Sequence, residues 1–360
     1  MPKYNGGFIG TDGLDAPDEP TIGTPSVGSA QADIAFTAPS DVGTSAITEY
    51  VATTNDGIGA TGTSSPITIT GLTNNTSYTA RVYAKNAYGT SAASEASASF
   101  TPLAEIIDSL FQTHLYTGVD DTDQTITNGI NLSVKGGLVW IKNRDQNDDH
   151  ALYDTERGIY KYLESNQDGA ETSNTTHLKA FNSNGFTIGP NLQINTNTEK
   201  YVSWTFRKQP KFFDIVTWTG NGTEDRTISH NLGSVPGMII VKGYSLTEDW
   251  NVYHRGIGNA KYLQLNSTAA AANVDTGAGG ANLWMSTDPT STTFKIDEHN
   301  RVNKNGDTYV AYLFAHNNND GGFGPDSEDI IKCGTCSGES GSNHTINLGF
   351  EPQWIMAKRY

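Results

Sequence analysis

Basic residues are scarce in this chain. Its 360 residues carry 23 Lys and Arg against 39 Asp and Glu, a formal net charge of −16. That sign disfavours a phosphate backbone and an anionic lipid surface, so neither nucleic acid nor a membrane is expected as a partner. Cysteine is scarcer still. Cys333 and Cys336 are the two in the sequence, one close pair that builds no disulfide framework along the chain. No apolar run approaches the length of a membrane-spanning helix, so no membrane insertion is expected. The opening MPKYNGGFIGTDGLDAPDEPT lacks a basic stretch followed by an apolar one, and no secretory leader is expected in it.

Hydrophobic residues make up 36% of the chain, below the usual globular share, and Lys and Glu, which favour long helices, are thin. Gly, Ser, Thr, Asn and Asp fill the space, the residues of turns and of solvated strand faces. The composition predicts an all-β protein with many turns, and the length two to three domains.

Residues 1–20, rich in Gly, Asp and Pro, read as a flexible segment or one ordered on docking, suited to anchor the chain to something else. From 21 to 102 the chain reads as short strands at regular spacing: ADIAFTA (32–38), AITEYVATT (46–54), PITITG (66–71), SYTARVYAK (77–85) and ASASFTP (96–102). Turn residues between them give the pattern of an Ig-like sandwich. The stretch GLTNNTSYTARVYAKNAYGTSAAS resembles the late strands of a fibronectin type III domain. On that resemblance Leu72 is the core leucine, Tyr78 the corner tyrosine, Val82 and Ala84 strand core, and Asn86 and Gly89 the turn that follows. Pro39 and Tyr50 also fit, and Phe36 stands where the family usually has tryptophan. The resemblance implies a fold and a spacer role, not a chemistry. Residues 103–111 then read as a linker or a short helix entering a strand.

The rest of the chain repeats itself. Placing 112–209 above 213–316 brings Ile126 onto Ile228, Lys142 onto Lys242, Tyr153 onto Tyr253, Tyr162-Leu163 onto Tyr262-Leu263 and Asn166 onto Asn266. EKYVSWTF (199–206) meets DTYVAYLF (307–314), and Arg157 meets Arg255 once a two-residue shift is allowed. GLVWIK and GMIIVK are short unbroken apolar runs that read as buried strands. These are two related β-sandwich-like units in tandem. After a linker at 317–329, a third unit opens: IIKCGTCSGESGSNHTINLGFEPQWIMAK mirrors DIVTWTGNGTEDRTISHNLGSVPGMIIVK, with Pro352 on Pro236 and Lys358 on Lys242. Residues 330–360 hold only its first strands, which cannot bury their own face, so a continuing chain or a covering partner is expected.

Four groups of residues invite a chemical reading. Asp145, Asn147, Asp149 and Glu156 stand at calcium-ligand positions of an EF-hand loop, although His150 occupies the place of the obligatory glycine. A solvated acidic loop gives the same pattern. CGTC (333–336) has the CxxC spacing but neither a second ligand pair for zinc nor a following helix for a redox motif. Trp218, Trp250 and Trp284 are the candidates for stacking on a sugar, in competition with an ordinary core role. The eight histidines are scattered, with no HExxH, GxSxG or Cys-His spacing, and the carboxylates lie in turns. No catalytic residue stands out, an enzyme is not expected, and no cofactor is implied.

The wording of the repeats, GGLVWIKNRD, HALYDTERG, YVSWTFRKQPKFFD, TISHNLGSVPGMIIVK and LGFEPQWIMAKR, resembles repeats of marine bacteriophage virion structural and tail-fibre-like proteins over 112–360. The resemblance implies a virion component, assembled in the host cytoplasm and extracellular in the mature particle. The expected role is tail-fibre-like: the N-terminal segment holds other virion proteins, the fibronectin-like domain is a spacer, and the repeats face a host glycan or outer-membrane protein. Self-association into a homo-oligomer is expected of such a fibre. The alternatives are a head-decoration or tail-scaffold protein, and a capsular polysaccharide depolymerase.

Overall fold

The computed structural model describes residues 14–102, 107–274, 282–323, 328–337 and 345–360. Most of the expected N-terminal anchor (1–13), part of each expected linker (103–106 and 324–327) and residues 338–344 of the third unit lie outside the described residues. The chain divides into two compact units, 1–105 and 106–360.

The first unit is built from β1 (Thr21–Ile22), β2 (Ser26–Gly28), β3 (Gln31–Ile34), β4 (Phe36–Thr37), β5 (Glu49–Thr54), β6 (Gly59–Gly62), β7 (Ile67–Thr70) and β8 (Ala80–Lys85). They form antiparallel sheets in the orders β2-β3-β7 and β6-β5-β8, with β1 paired to β4. Buried positions alternate along β3, β5, β7 and β8, so each sheet turns one face inward. Ile34, Ala52, Ile69, Val82 and Ala84 fill the core, as do Leu72 and Tyr78. Phe36 packs its ring 4.7 Å from Tyr50, which fills the site of the missing tryptophan with two smaller rings. The Tyr78 hydroxyl accepts the Thr73 amide at 2.9 Å and pins the corner.

The expected strand at 96–102 takes a different form. Residues 91–100 run beside β8, but Ser91, Ser94 and Ser97 each accept a β8 amide on Oγ (from Ala84, Val82 and Ala80) and also donate their own amide to the carbonyl of the same residue. A hydroxyl every third residue breaks the two-residue period of a regular strand while leaving every β8 donor satisfied.

The second unit holds two repeats of one topology. The first has β9 (Phe111–Thr117), β10 (Gln124–Thr127), β11 (Gly137–Asn143), β12 (Ala151–Asp154), β13 (Lys161–Tyr162), β14 (Thr172–Ser173), β15 (Leu178–Asn182), β16 (Gly185–Ile188) and β17 (Lys200–Arg207). The second has β18 (Phe213–Thr219), β19 (Arg226–Ser229), β20 (Met238–Gly243), β21 (Asn251–His254), β22 (Lys261–Gln264), β23 (Ala272–Asn273), β24 (Thr293–Ile296) and β25 (Thr308–Phe314). The large antiparallel sheet runs β12-β11-β17-β9 in the first, and the second has the matching order β21-β20-β25-β18, extended past β21 by β22 and β23. A smaller sheet, β10-β16-β15 or β19-β24, faces it. Single-turn helices precede the last strands: α2 (Leu192–Asn195) and α3 (Asn300–Asn303), while α1 (Leu132–Lys135) belongs to the first repeat. The last strand holds each of those turns. Tyr201 Oη accepts the Thr196 amide at 2.9 Å, and Tyr309 Oη accepts the Lys304 amide at 2.8 Å.

Alternation along β11 and β20 explains their unbroken apolar sequence. Val139 and Ile141 point into the first repeat's own core, and Ile239 and Val241 into the second's. Leu138, Trp140, Met238 and Ile240 point the other way, into one core shared by both repeats. The two large sheets thus pack back to back, and the repeats form a single body rather than a string of beads. Each large sheet lacks a polar face, so the tandem sandwich-like repeats complete one another's cores.

Candidate docking surface

None of the tryptophans proposed for sugar contact faces solvent. Trp218 is 8% exposed, Trp250 0% and Trp284 2%. Trp218 stacks on Tyr309 and donates Nε1 to the Val302 carbonyl; Trp284 packs edge-on to Tyr253 and donates to the Lys261 carbonyl. Trp218 lies in β18, Trp250 just before β21 and Trp284 in a turn, and all three are packed inward, so a sugar ring has no access to their faces. The sugar-contact assignment is corrected for all three.

The calcium assignment is corrected as well. Asp145 accepts the Lys200 amide at 2.9 Å, Asp149 accepts Gln167 at 2.9 Å and also the Asn166 amide group, and Glu156 pairs with Lys208 at 2.6 Å. Each carboxylate serves a different part of the repeat, Glu156 beyond the far end of β12. Asn147 is exposed in the loop between β11 and β12. Among the described residues no cluster of three or more His, Cys, Asp or Glu is placed to hold a metal. In CGTC, Cys333 is half-buried and Cys336 exposed, and burial pushes the Cys333 thiol up to about 12 against the weaker opposing effect of Arg255. Arg157 and Arg255 are not equivalents either: the Thr155 and Arg255 amides bond the Gly137 and Gly237 carbonyls, which aligns Arg255 with Thr155.

What the repeated residues do build is the seam between repeats. Trp250 donates Nε1 to the carbonyls of Glu164 and Gln167 at 3.0 and 3.1 Å. Lys242 donates Nζ to the Asp168 carbonyl at 3.1 Å, and to Gly243 and Leu246 of its own repeat at 2.9 Å each. Tyr312 donates to Asp154 at 2.7 Å. Asp154 also pairs with Arg157 at 2.5 Å, and Arg157 with Glu171 at 3.1 Å, both Asp154 and Arg157 side chains fully buried. A charge buried this deeply persists because opposite charges and hydrogen bonds surround it.

The same face on the first repeat is less covered. In place of Ile240, Trp250, Tyr312 and Lys242 stand Trp140, His150, Trp204 and Lys142. Trp140 donates Nε1 to His150 Nδ1 at 2.8 Å, and Trp204 meets Trp140 edge-on with ring centres 6.1 Å apart. His150, Trp204 and Lys142 are half-buried. Burial and the Lys142 charge lower the His150 pKa, so a neutral imidazole lies beside the indoles. Trp354 from the third unit covers part of this face, 6.3 Å from Trp140 and 5.4 Å from Phe206. Trp140, Trp204 and Trp354 escaped the sequence reading, yet a signal was available: each aligns with a core position of the second repeat.

A second surface belongs to the first repeat alone. The α1 turn and β15 border an open groove of about 570 Å³, lined by Leu132, Val134, Ile159, Phe181, Lys135 and Lys179 among others.

Comparisons with known proteins follow the division into units. The family model described as "Domain of unknown function (DUF7483)" matches residues 108–360, and the fibronectin type III domain model matches residues 15–100. No curated protein matches the chain. Among solved structures, a crystal structure of titin domains is 28% identical, with 25% of this chain and 33% of that one covered and a TM-score of 0.24. The chicken CNTN1 FN1-FN3 domains are 12% identical, with 83% and 94% covered and a TM-score of 0.22. Chitinase ChiA74 from Bacillus thuringiensis is 16% identical, with 54% and 27% covered and a TM-score of 0.20. The chain thus spans about a third of the length of the titin segment it matches.

Proposed function

For a chain that belongs to the DUF7483 family over most of its length and carries a fibronectin type III domain ahead of it, we propose a non-catalytic structural role, as a building block of a virion. The observation that carries this reading is the use to which the repeated polar residues are put. Lys242, Trp250 and Tyr312 are spent on the seam between repeats. Side chains that a catalytic or sugar-binding repeat would aim at a ligand here hold one sheet against another.

The fibronectin type III domain is a spacer in this reading, and the acidic, turn-rich surface keeps the particle soluble. The phage assignment is supported by the wording of the repeats. A tail-fibre-like position, with the N-terminal segment on other virion proteins and the repeats toward a host glycan or outer-membrane protein, is the arrangement we favour. Multiple weak contacts from several copies would then supply the avidity.

Immunogold labelling of purified phage particles tests it. Gold at the tail is the expected result, and gold over the head moves the chain to a decoration role. Particles without the protein would sink the virion reading altogether. Release of reducing sugar from host capsule by the purified protein would overturn the non-catalytic part.

A further inference from the structure

The large sheet of the first repeat ends on β9, a strand of seven residues, FQTHLYT, with no charged side chain, no proline and no bulge in its pairing with β17. Free strand edges of soluble proteins ordinarily carry such guards, because unpaired amides and carbonyls are a template for another strand. The opposite end of the sheet is already met: Leu152 of β12 exchanges both backbone bonds with Leu163.

The pairing with β17 fixes which groups of β9 are free. The Arg207 amide bonds the Leu110 carbonyl and the Gly118 amide bonds the Glu199 carbonyl, so the even-numbered residues of β9 face β17. The amides and carbonyls of Phe111, Thr113, Leu115 and Thr117 point to the open side. Gln124 Nε2 caps the Thr117 carbonyl at 3.0 Å. Among the described residues, nothing meets the backbone of Phe111, Thr113 or Leu115 on that side.

The twin strand β18 is guarded at the same places. Phe213, the equivalent of Phe111, is paired both ways with Gln209. The Ile215 carbonyl accepts Lys208 Nζ at 3.4 Å, and the Thr219 carbonyl accepts Arg226 at 2.6 Å. Of these caps β9 keeps only the last, as Gln124. Leu115 is 57% exposed, and Thr217 at the same place in β18 is exposed too. The position opens to solvent in both repeats, so its exposure belongs to the edge itself.

We propose that β9 pairs with β9 of a second copy of this chain, antiparallel across a two-fold axis at Thr113. The free groups are centred on that residue. A two-fold there sets Thr113 against Thr113, and Phe111 against Leu115 on either side, each pair exchanging both backbone bonds. All the free groups of the three residues are then satisfied. An axis at His114 would set Phe111 against Thr117, whose carbonyl Gln124 already holds.

The side chains suit the same pairing. Gln112 falls opposite His114 and Thr113 opposite Thr113, so no like charges meet. The Phe111 ring lies 4.7 Å from Phe206 of the shared core, and Leu115 of the second copy lands beside it. For a chain of net charge −16, an uncharged edge is where two copies approach with least repulsion. This pairing goes beyond the virion reading and stands without it.

Sedimentation equilibrium of the full chain across the micromolar range tests it, together with residue-resolved hydrogen–deuterium exchange. The mass is expected to climb from 38.7 kDa toward twice that value. The amides of Phe111, Thr113 and Leu115 should exchange fast in dilute protein and slow down together as the dimer forms, while those of Gln112, His114 and Tyr116 stay protected throughout. Leu115→Pro removes a free donor beneath an exposed side chain, and Thr113→Lys sets two charges against each other on the axis. Both should melt like the parent. Each change acts twice across a two-fold, so self-association should weaken by about ten-fold or more. A mass that stays at 38.7 kDa overturns the proposal. So does protection of the three amides in the monomer, which would put a strand of the same chain on the edge. A dimer in which they still exchange fast, or undiminished association of a folded variant, overturns it as well. Should a variant not fold, the exchange pattern of the parent decides by itself.

Discussion

Tyr312 of the second repeat donates its hydroxyl to Asp154 of the first at 2.7 Å, and Arg157 donates to that same hydroxyl at 3.3 Å. One tyrosine thus bridges the acid and the base of an ion pair that belongs to the other half of the unit. Asp154→Ala strands the Arg157 charge in the core and is expected to cost about 3–5 kcal/mol, while Tyr312→Phe costs about 1 kcal/mol. Urea denaturation of the single and double variants measures both, and a coupling energy near zero would show that the bridge does not join the repeats.

Lys242 offers a test by pH. Burial lowers its pKa to about 8, against the opposing pull of Asp168, Glu248 and Asp249. An unfolded lysine titrates near 10.4, so between about pH 8 and 10 the unfolded chain holds more protons than the folded one. Stability from this group therefore rises with pH through that window, by on the order of 1 kcal/mol. From pH 7.5 to 9.5 the urea midpoint of the wild type should rise relative to that of Lys242→Met. Parallel profiles would mean that Lys242 is not held against its charge.

His177 is the acid-side counterpart. Burial lowers its pKa to about 4, its Nδ1 lies 2.6 Å from Tyr153 Oη, and its ring stacks on Tyr162 with centres 4.0 Å apart. The unfolded imidazole takes its proton near 6.5, so stability present above that pH is lost as pH falls from 6.5 toward 4. The loss from this residue is about 2 kcal/mol, and His177→Asn should flatten the acid limb by that amount. NMR titration that finds His177 protonating near 6.5 in the folded protein would remove the explanation.

Trp250 lies at the centre of the seam. Trp250→Ala removes a fully buried indole and two hydrogen bonds to the first repeat, an expected cost of about 3–5 kcal/mol. Because the core it fills is common to both repeats, calorimetry should show residues 106–360 melting in one transition at a lower temperature. Two separate transitions from the repeats, in either protein, would contradict a shared core.

Much of this was legible beforehand, for identifiable reasons. Tyr78, Val82 and Asn86 sit in a local pattern that a single sandwich repeats with little variation, so their roles follow from spacing. Lys142 and Lys242 showed the duplication. What spacing could not show is which of two buried faces a residue occupies. Trp250 and Trp218 both lie on strands or their flanks with apolar neighbours, yet Trp250 faces the other repeat and Trp218 its own core. Surface aromatics look the same as these in a linear reading, so spacing alone leaves a sugar platform and a core role both open for the three tryptophans. The acidic loop misled for a related reason: Asp145 and Asp149 match a ligand pattern in order but answer to backbone and amide partners from distant residues, Lys200 and Asn166. Those partners come together only through the antiparallel register.

The clustered phenylalanines of the shared core have a consequence for how such a chain changes over generations. A duplicated module is ordinarily a spare, free to drift while its twin keeps working. Phe206 and Phe314 touch, with centres 5.5 Å apart, and both touch Phe213. A substitution at any of the three alters the packing of both halves at once. Neither half is a spare: the two copies are bound to change together, and the doubling of the sequence confers no redundancy.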